Sequence, residues 1–214
     1  MDKINKLPTT VPLFPLSNFI IFPNTTVPLN IFEPRYIQMI DDSMKSHRMI
    51  GMIQPKKSGE LKKPDLYEVG CIGKITSFNE TEDGRYLIII NGVSRFNIDK
   101  EIQTDKLYRS CNVSYDNYQK DLDDKVEKFK LKDLDKIFED LKNLFEKKGF
   151  MVDWSNLKKQ DFSNTLNTLS MASPFSLEEK QVLLETKDLI TRKLRLEEIL
   201  KTYTLDEFSN KTIQ

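Results

Sequence analysis

VPLNIFEPRY, Val27 to Tyr36, opens as a strand-like run and closes as the start of a helix. Pro28 cannot donate to a ladder and points to an edge or irregular strand. Pro34 suits the first turn of a helix, where its missing N–H costs nothing. Glu33 stands where a negative charge favours a helix N-terminus, and Arg35 can reach a carboxylate or carbonyl nearby. The stretch holds no base and no nucleophile, so it reads as a rigid strand-to-helix corner.

On either side of this corner the first half of the chain is β in character. TTVPLFPL precedes it as a second proline-marked strand. The helix is expected over 34–47, with Tyr36, Ile37, Met39, Ile40 and Met44 as apolar positions. RMIGMIQP (Arg48–Pro55), YEVGCIGKITSFNE, GRYLIIINGVSRFNI and YRSCNVSYD (Tyr108–Asp116) read as further strands, and Asp83–Gly84 as a type I′ hairpin turn. Short strands with one helix imply a compact barrel-like sheet, and Gly70, Gly73 and Gly92 inside strand patterns mark the bulges or bends that closure needs.

Near residue 118 the pattern changes to long amphipathic helices. Val126, Phe129, Leu134, Ile137, Phe138, Leu141, Leu144 and Phe145 keep mostly three-to-four spacing up to Gly149. A second helix is expected from Leu157 to Met171, before Pro174. Ser176 with Glu179 forms a capping box for a third, with a break near Lys187 and Leu183, Leu184, Ile190, Leu194, Ile199 and Leu200 along one face. Trp154 reads as a packing residue. Strands followed by helices make the fold α+β. The expected organisation is a β-barrel subdomain over 8–118, a helical bundle over 119–203 and a flexible polar tail over 204–214.

Composition excludes several functions. The 214 residues carry 33 Lys+Arg against 33 Asp+Glu, a net charge of zero, whereas proteins that live on phosphate contacts usually carry a basic excess. One histidine, His47, and two cysteines, Cys71 and Cys111, without a C-x-x-C leave no metal-ligand spacing, and no cofactor motif occurs. The cysteines read as buried free thiols of a cytoplasmic protein. No signal peptide and no membrane-length apolar run is present. His47 reads as an exposed helix-end residue, and the acidic pairs Asp41–Asp42, Asp123–Asp124 and Glu197–Glu198 as solvated faces.

VPLFPLSNFIIFPNTTVPLNIFEPRYIQMID resembles the opening of the N-terminal domain of Lon proteases. Pro12, Leu13, Pro15, Leu16, Phe22, Pro23, Pro28, Leu29, Ile31, Phe32, Glu33, Arg35 and Tyr36 carry the match. YEVGCIGKI, the Gly92-x-x-Arg95-Phe96 element and the helix containing EKQVLLE extend the resemblance over residues 8–203. It implies a PUA-like β-barrel followed by a helical bundle, and a role in recognising exposed hydrophobic segments of substrates. The ATPase and Ser-Lys peptidase modules of a full-length Lon have no counterpart here, so a stand-alone, non-enzymatic module of bacterial protein quality control is expected.

The leading expectation is therefore a protein-recognition module that binds unfolded or hydrophobic polypeptide, or a protease or chaperone partner. Aromatics supply rigid contact area and edge strands accept added strands, so the candidate partner-binding residues are Phe14, Phe32, Glu33, Arg35 and Tyr36. An RNA-binding PUA-like module is the alternative, with Lys56, Lys57, Lys62 and Lys63 of KKSGELKKP as its basic loop. A small-molecule enzyme in the barrel cleft is weaker, since it needs convergent polar groups in a pocket.

Overall fold

The structure, a computed structural model, describes residues 7–17, 19–56, 63–122 and 130–211. The chain folds as two units, 1–124 and 125–214. Asp123–Asp124, Val126 and Phe129 lie outside the described residues, as do Lys57 and Lys62.

Among the described residues, the first unit is a six-stranded mixed sheet with one α-helix and a 3₁₀ segment. Its strands are β1 (Thr10–Pro15), β2 (Thr26–Ile31), β3 (Met49–Ile53), β4 (Val69–Glu80), β5 (Tyr86–Ile102) and β6 (Arg109–Ser114), and α1 spans Pro34–Met44 between β2 and β3. The order is β2-β5-β4-β3-β1-β6, and β6 also pairs with β5, so the circuit β5-β4-β3-β1-β6 returns to its start. Of these pairs, β1 with β3 runs parallel and the others antiparallel.

β5 makes the circuit possible. Its first residues, Tyr86–Asn91, lie between β2 and β4, while Asn97–Ile102 pair with β6. The changeover falls at Gly92, which stands opposite Gly73 of β4 at a register shift. The Phe22–Thr25 turn passes over this point: Asn24 N–H donates to the Gly92 carbonyl and Gly92 N–H to the Thr25 carbonyl, both at 2.9 Å. A Cβ on Gly92 would overlap the Phe22 carbonyl oxygen, and one on Gly73 would overlap Cγ2 of Ile90. Two sites without side chains let the chains approach and the sheet bend.

Of the edge or irregular strand that its prolines allow, β1 is not the edge. β1 pairs with β6 over Thr10–Leu13 and with β3 over Leu13–Pro15. Pro12 and Pro15 each face a single registered partner, so neither needs a second donor. β2 is the edge strand, with Pro28 in its middle. The β4–β5 hairpin also differs from expectation. Asp83 has no positive φ, whereas Gly84 has φ 77°. Gly84 N–H donates to the Thr81 carbonyl and Thr81 N–H to the Arg85 carbonyl, both at 2.9 Å. That is a three-residue loop with a left-handed glycine, not a type I′ turn.

Arg95 of β5 is 1 % exposed. Its Nε and Nη2 donate to the two carboxylate oxygens of Asp121 at 2.8 and 2.7 Å, and its backbone N–H donates to the same carboxylate at 3.0 Å. The guanidinium lies 4.2 Å from the Tyr118 ring centroid. The 3₁₀ segment Asp116–Leu122 is thereby fastened to the sheet.

In the second unit, a 3₁₀ turn leads into α2 (Asp135–Lys147), followed by α3 (Trp154–Leu157), α4 (Phe162–Ala172), α5 (Leu177–Glu185) and α6 (Leu189–Lys211). Gly149, at φ 73°, closes α2: Phe150 N–H reaches the Phe145 carbonyl and Gly149 N–H the Glu146 carbonyl, with the Phe145 and Phe150 rings 6.0 Å apart. The Ser176–Glu179 capping box is present. Trp154 packs edge-on against Phe138 and Phe145 within this unit.

The inner face of α6 is Arg192, Leu196, Ile199 and Leu200; Ile190 and Leu194, expected on it, are exposed. Arg192 displaces them because its Nε donates to the Leu183 carbonyl at 2.9 Å and its Nη1 to Asn167 Oδ1, joining α4, α5 and α6. The backbone stays helical to Lys211, beyond Tyr203 where the sequence pattern ends; the last three residues of the expected tail, 212–214, lie outside the described residues.

Two outcomes test this account. Gly92→Ala should destabilise the protein by about 3 kcal/mol in urea unfolding, because a backbone carbonyl must move, whereas Gly84→Ala, with open space around it, should cost only about 1 kcal/mol. Asp121→Ala should cost about 3–5 kcal/mol by leaving a buried guanidinium without its carboxylate. A loss below about 1 kcal/mol would show that water or another group takes over the charge.

Candidate functional site

The strand-to-helix corner forms as its residues dictate. Glu33 is the N-cap of α1 with φ −74° and ψ 131°, Pro34 occupies the first turn, and the Glu33 carbonyl accepts from Tyr36 and Ile37 N–H, both at 2.9 Å. The Glu33 side chain makes no capping bond. It instead accepts from Arg35, with Nε at 2.9 Å and Nη2 at 2.8 Å.

The five candidate residues divide into builders and surface. Phe14 and Tyr36 are buried, with ring centroids 4.3 Å apart and planes at 52°. The Tyr36 hydroxyl donates to the Pro15 carbonyl at 3.3 Å, and burial pushes its pKa up. Arg35 sits 4.4 Å from the Tyr36 ring centroid. Of the three candidate aromatics Phe32 alone projects, at 65 % exposure. The other early aromatics form no open groove, since Phe22 is fully buried and Phe19 half-buried.

Beside Arg35 and Tyr36 opens a cleft of about 910 Å³. Leu13, Pro15 and Ser17 line one side, Pro55, Lys63 and Pro64 another, and the β5–β6 connection from Glu101 to Arg109 closes the third. Its charges are largely matched. Arg109 forks onto Glu101 with two bonds of 3.0 Å and also donates to the Pro64 carbonyl at 2.7 Å. Lys63 reaches the same carboxylate at 3.1 Å. The Arg109 hydrogen bonds, with Lys63, hold the Glu101 carboxyl below the usual range. Lys106 and the Tyr108 hydroxyl both donate to Asp42, at 2.8 and 2.9 Å, which lowers the Asp42 pKa. Burial and this bond push the Tyr108 phenol up to about 12, so it stays a donor.

The far wall was not singled out from sequence. Its signal lay in a hairpin register: Ile102 stands opposite Ser110, which brings Glu101 and Arg109 together across the connection. Asp41 and Asp42, read as a solvated face, point apart as adjacent helical residues do, yet each accepts from a tyrosine: Tyr86 bonds Asp41 at 2.9 Å and Tyr108 bonds Asp42.

His47 is not simply exposed. Its Nδ1 accepts from Met49 N–H at 3.1 Å, which assigns the ring proton to Nε2, and partial burial lowers its pKa. Among the described residues no cluster of His, Cys, Asp or Glu could hold a metal ion, and both cysteines are buried free thiols. No helix of the described residues is long and apolar enough to cross a membrane.

Three measurements follow from this geometry. Glu33→Ala should change stability by less than about 1 kcal/mol, because its ion pair is exposed to solvent. Tyr36→Ala should cost about 3–4 kcal/mol by emptying a core site. Stability should fall on acidification below the ordinary histidine pKa of 6.5, because the unfolded state gains the proton first and the native His47 must lose its Met49 bond to follow. Thermal unfolding of His47→Gln between pH 7.5 and 5 should lose that part of the slope; an unchanged slope would assign it elsewhere.

Comparison with known proteins places these features in a family. The chain is 27 % identical over 208 residues to the Lon protease of Desulfosudis oleivorans, covering 92 % of this chain and 24 % of that one. It is 31 % identical over 116 residues to the Lon protease of Cytophaga hutchinsonii, covering 53 % and 14 %. The chain thus spans about a quarter, or less, of the length of these relatives. The fold is shared with a Lon N-terminal domain protein from Xanthomonas campestris, at TM-score 0.63, 20 % identity and coverage of 91 % and 98 %. It is shared equally with the N-terminal domain of the Mycobacterium avium complex Lon protease, at TM-score 0.62, 17 % identity and coverage of 90 % and 98 %. The family model for the ATP-dependent protease La (LON) substrate-binding domain matches residues 10–202, so the chain belongs to that family.

Proposed function

We propose that this chain is a non-catalytic protein-recognition module of protein quality control. Its first unit is read as a PUA-like β-barrel, on the support of a strand circuit that closes through β5 and β6. The ligand is an exposed hydrophobic polypeptide segment, and the site is the cleft beside α1. The observation that carries this reading is the set of half-buried prolines that line the cleft, Pro15, Pro55 and Pro64, together with the exposed Leu107 on its wall and Phe32 projecting close by in sequence to Tyr36. Prolines offer contact area that loses little freedom on binding.

Two modes are disfavoured. Addition of a peptide strand meets an unhelpful edge, because β1 is paired with β6 over Thr10–Leu13 and with β3 over Leu13–Pro15, and Pro28 in the edge strand β2 offers no donor. RNA binding meets cations already engaged: Arg35 by Glu33, Arg109 and Lys63 by Glu101, and Lys106 by Asp42. The two buried free thiols suit a reducing cytoplasm.

Fluorescence anisotropy with a labelled, chemically unfolded, aromatic-rich polypeptide tests the reading. Saturable binding is expected, weakened about fivefold to tenfold by Phe32→Ser with unfolding midpoint unchanged. No saturable binding by the wild-type protein would sink the proposal. Binding unaffected by Phe32→Ser would move the site away from the corner.

A further inference from the structure

The connection between β5 and β6 is attached to the first unit in an unusual way. Gln103, Thr104, Asp105, Lys106 and Leu107 are all exposed, and Leu107 is a large apolar residue at 63 % exposure. Among the described residues, two hydrogen bonds tie them to the rest of the protein: Leu107 N–H to Gln38 Oε1 at 2.8 Å, and Lys106 Nζ to Asp42 Oδ2 at 2.8 Å. Tyr108, at the strap's foot, adds its hydroxyl to the same Asp42 oxygen at 2.9 Å. All three acceptor contacts fall on one helix, at positions 38 and 42, one turn apart on α1.

Lys106 and Tyr108 also stand between two cavities. They line the 910 Å³ cleft and equally a smaller one of about 220 Å³ bounded by Thr10, Ser43 and His47. Lys106 and Tyr108 therefore separate the two cavities, and their bonds to Asp42 hold them there. A segment with exposed backbone and few bonds opens at far lower free energy than the sheet it joins.

We propose that residues 103–107 form a strap that unlatches from α1 as a unit while the sheet stays folded, and that this opening regulates access to the cleft. When Asp42 and Gln38 release it, the partition between the two cavities is removed and Leu107 is free to turn towards an incoming apolar segment. Asp42 is the latch because one carboxylate oxygen holds both the strap's ammonium and the tyrosine at its foot. The identity of what enters rests on the polypeptide reading above; the strap's motion does not.

Amide-resolved hydrogen exchange on the full chain at pH 7 tests the motion. In Asp42→Ala the Leu107 amide should exchange on the order of tenfold faster, with Ile88, Ile90 and Cys111 amides unchanged. Lys106→Ala, at an exposed position outside the sheet, should act in the same direction and serves if Asp42→Ala fails to fold. Unaltered exchange at Leu107 would overturn the proposal, as would acceleration of the sheet amides in step with it. The labelled unfolded polypeptide then reads the gating: association should be faster in the unlatched variants, and equal rates would overturn regulation by the strap. Absence of binding by every form would defeat the polypeptide reading instead, with the exchange data still deciding the strap.

Discussion

Gly73 and Gly92 stand opposite each other where a side chain has no room, and the change of partner along β5 depends on that close approach. β5 has to serve β2 along its first residues and β6 along its last, so it changes partner midway. At the changeover the Phe22–Thr25 turn crosses directly over Gly92, and Gly73 stands opposite. The Phe22 backbone over Gly92 and the Ile90 side chain against Gly73 exclude even a methyl group at either position. The turn then sets the start of β2, β2 sets the corner at Glu33–Pro34, and the corner sets α1 against the cleft.

Each unit adds one buried arginine, and the two are used differently. Arg95 meets a carboxylate, so its charge is neutralised where it is buried, and it fixes the 3₁₀ segment that follows the sheet. Arg192 donates to the carbonyl of Leu183, in the last turn of α5, and to an asparagine oxygen. A cation is favoured there by the exposed carbonyls of a helix C-terminus. Arg95 forks two fixed donors onto one carboxylate and Arg192 spends two on different helices, neither of which a lysine could do with a single point charge.

The candidate site shows where sequence reading reached and where it stopped. The corner was legible because Pro34 acts locally, fixing its own φ at the first turn of the helix. Phe14 and Tyr36, read from sequence as partner-binding candidates, are buried and build the corner, while Phe32 is left as its exposed aromatic. The cleft's far wall was invisible, since Glu101, Arg109 and Lys63 converge only through a strand register and a loop crossing. The same reason hid the strap: positions 38 and 42 look like ordinary polar helix residues until Leu107, Lys106 and Tyr108 are brought to them.

By itself the sequence determined the α+β succession, the corner at Val27–Tyr36, the capping box at Ser176 and the glycine stop at Gly149. These depend on residues a few positions apart, whose conformational preferences act before any tertiary contact forms. Family membership was legible for a related reason, because spaced prolines, glycines and aromatics mark local backbone requirements of the fold. Tertiary structure decided which proline strand was the edge, which face of α6 turned inward, and which charges were cancelled around the cleft. Those outcomes follow from partners far apart in the chain, such as Thr10 with Asn112 or Leu107 with Gln38, and pairing over such separations is set by closure of the sheet and packing of the helices rather than by local preference.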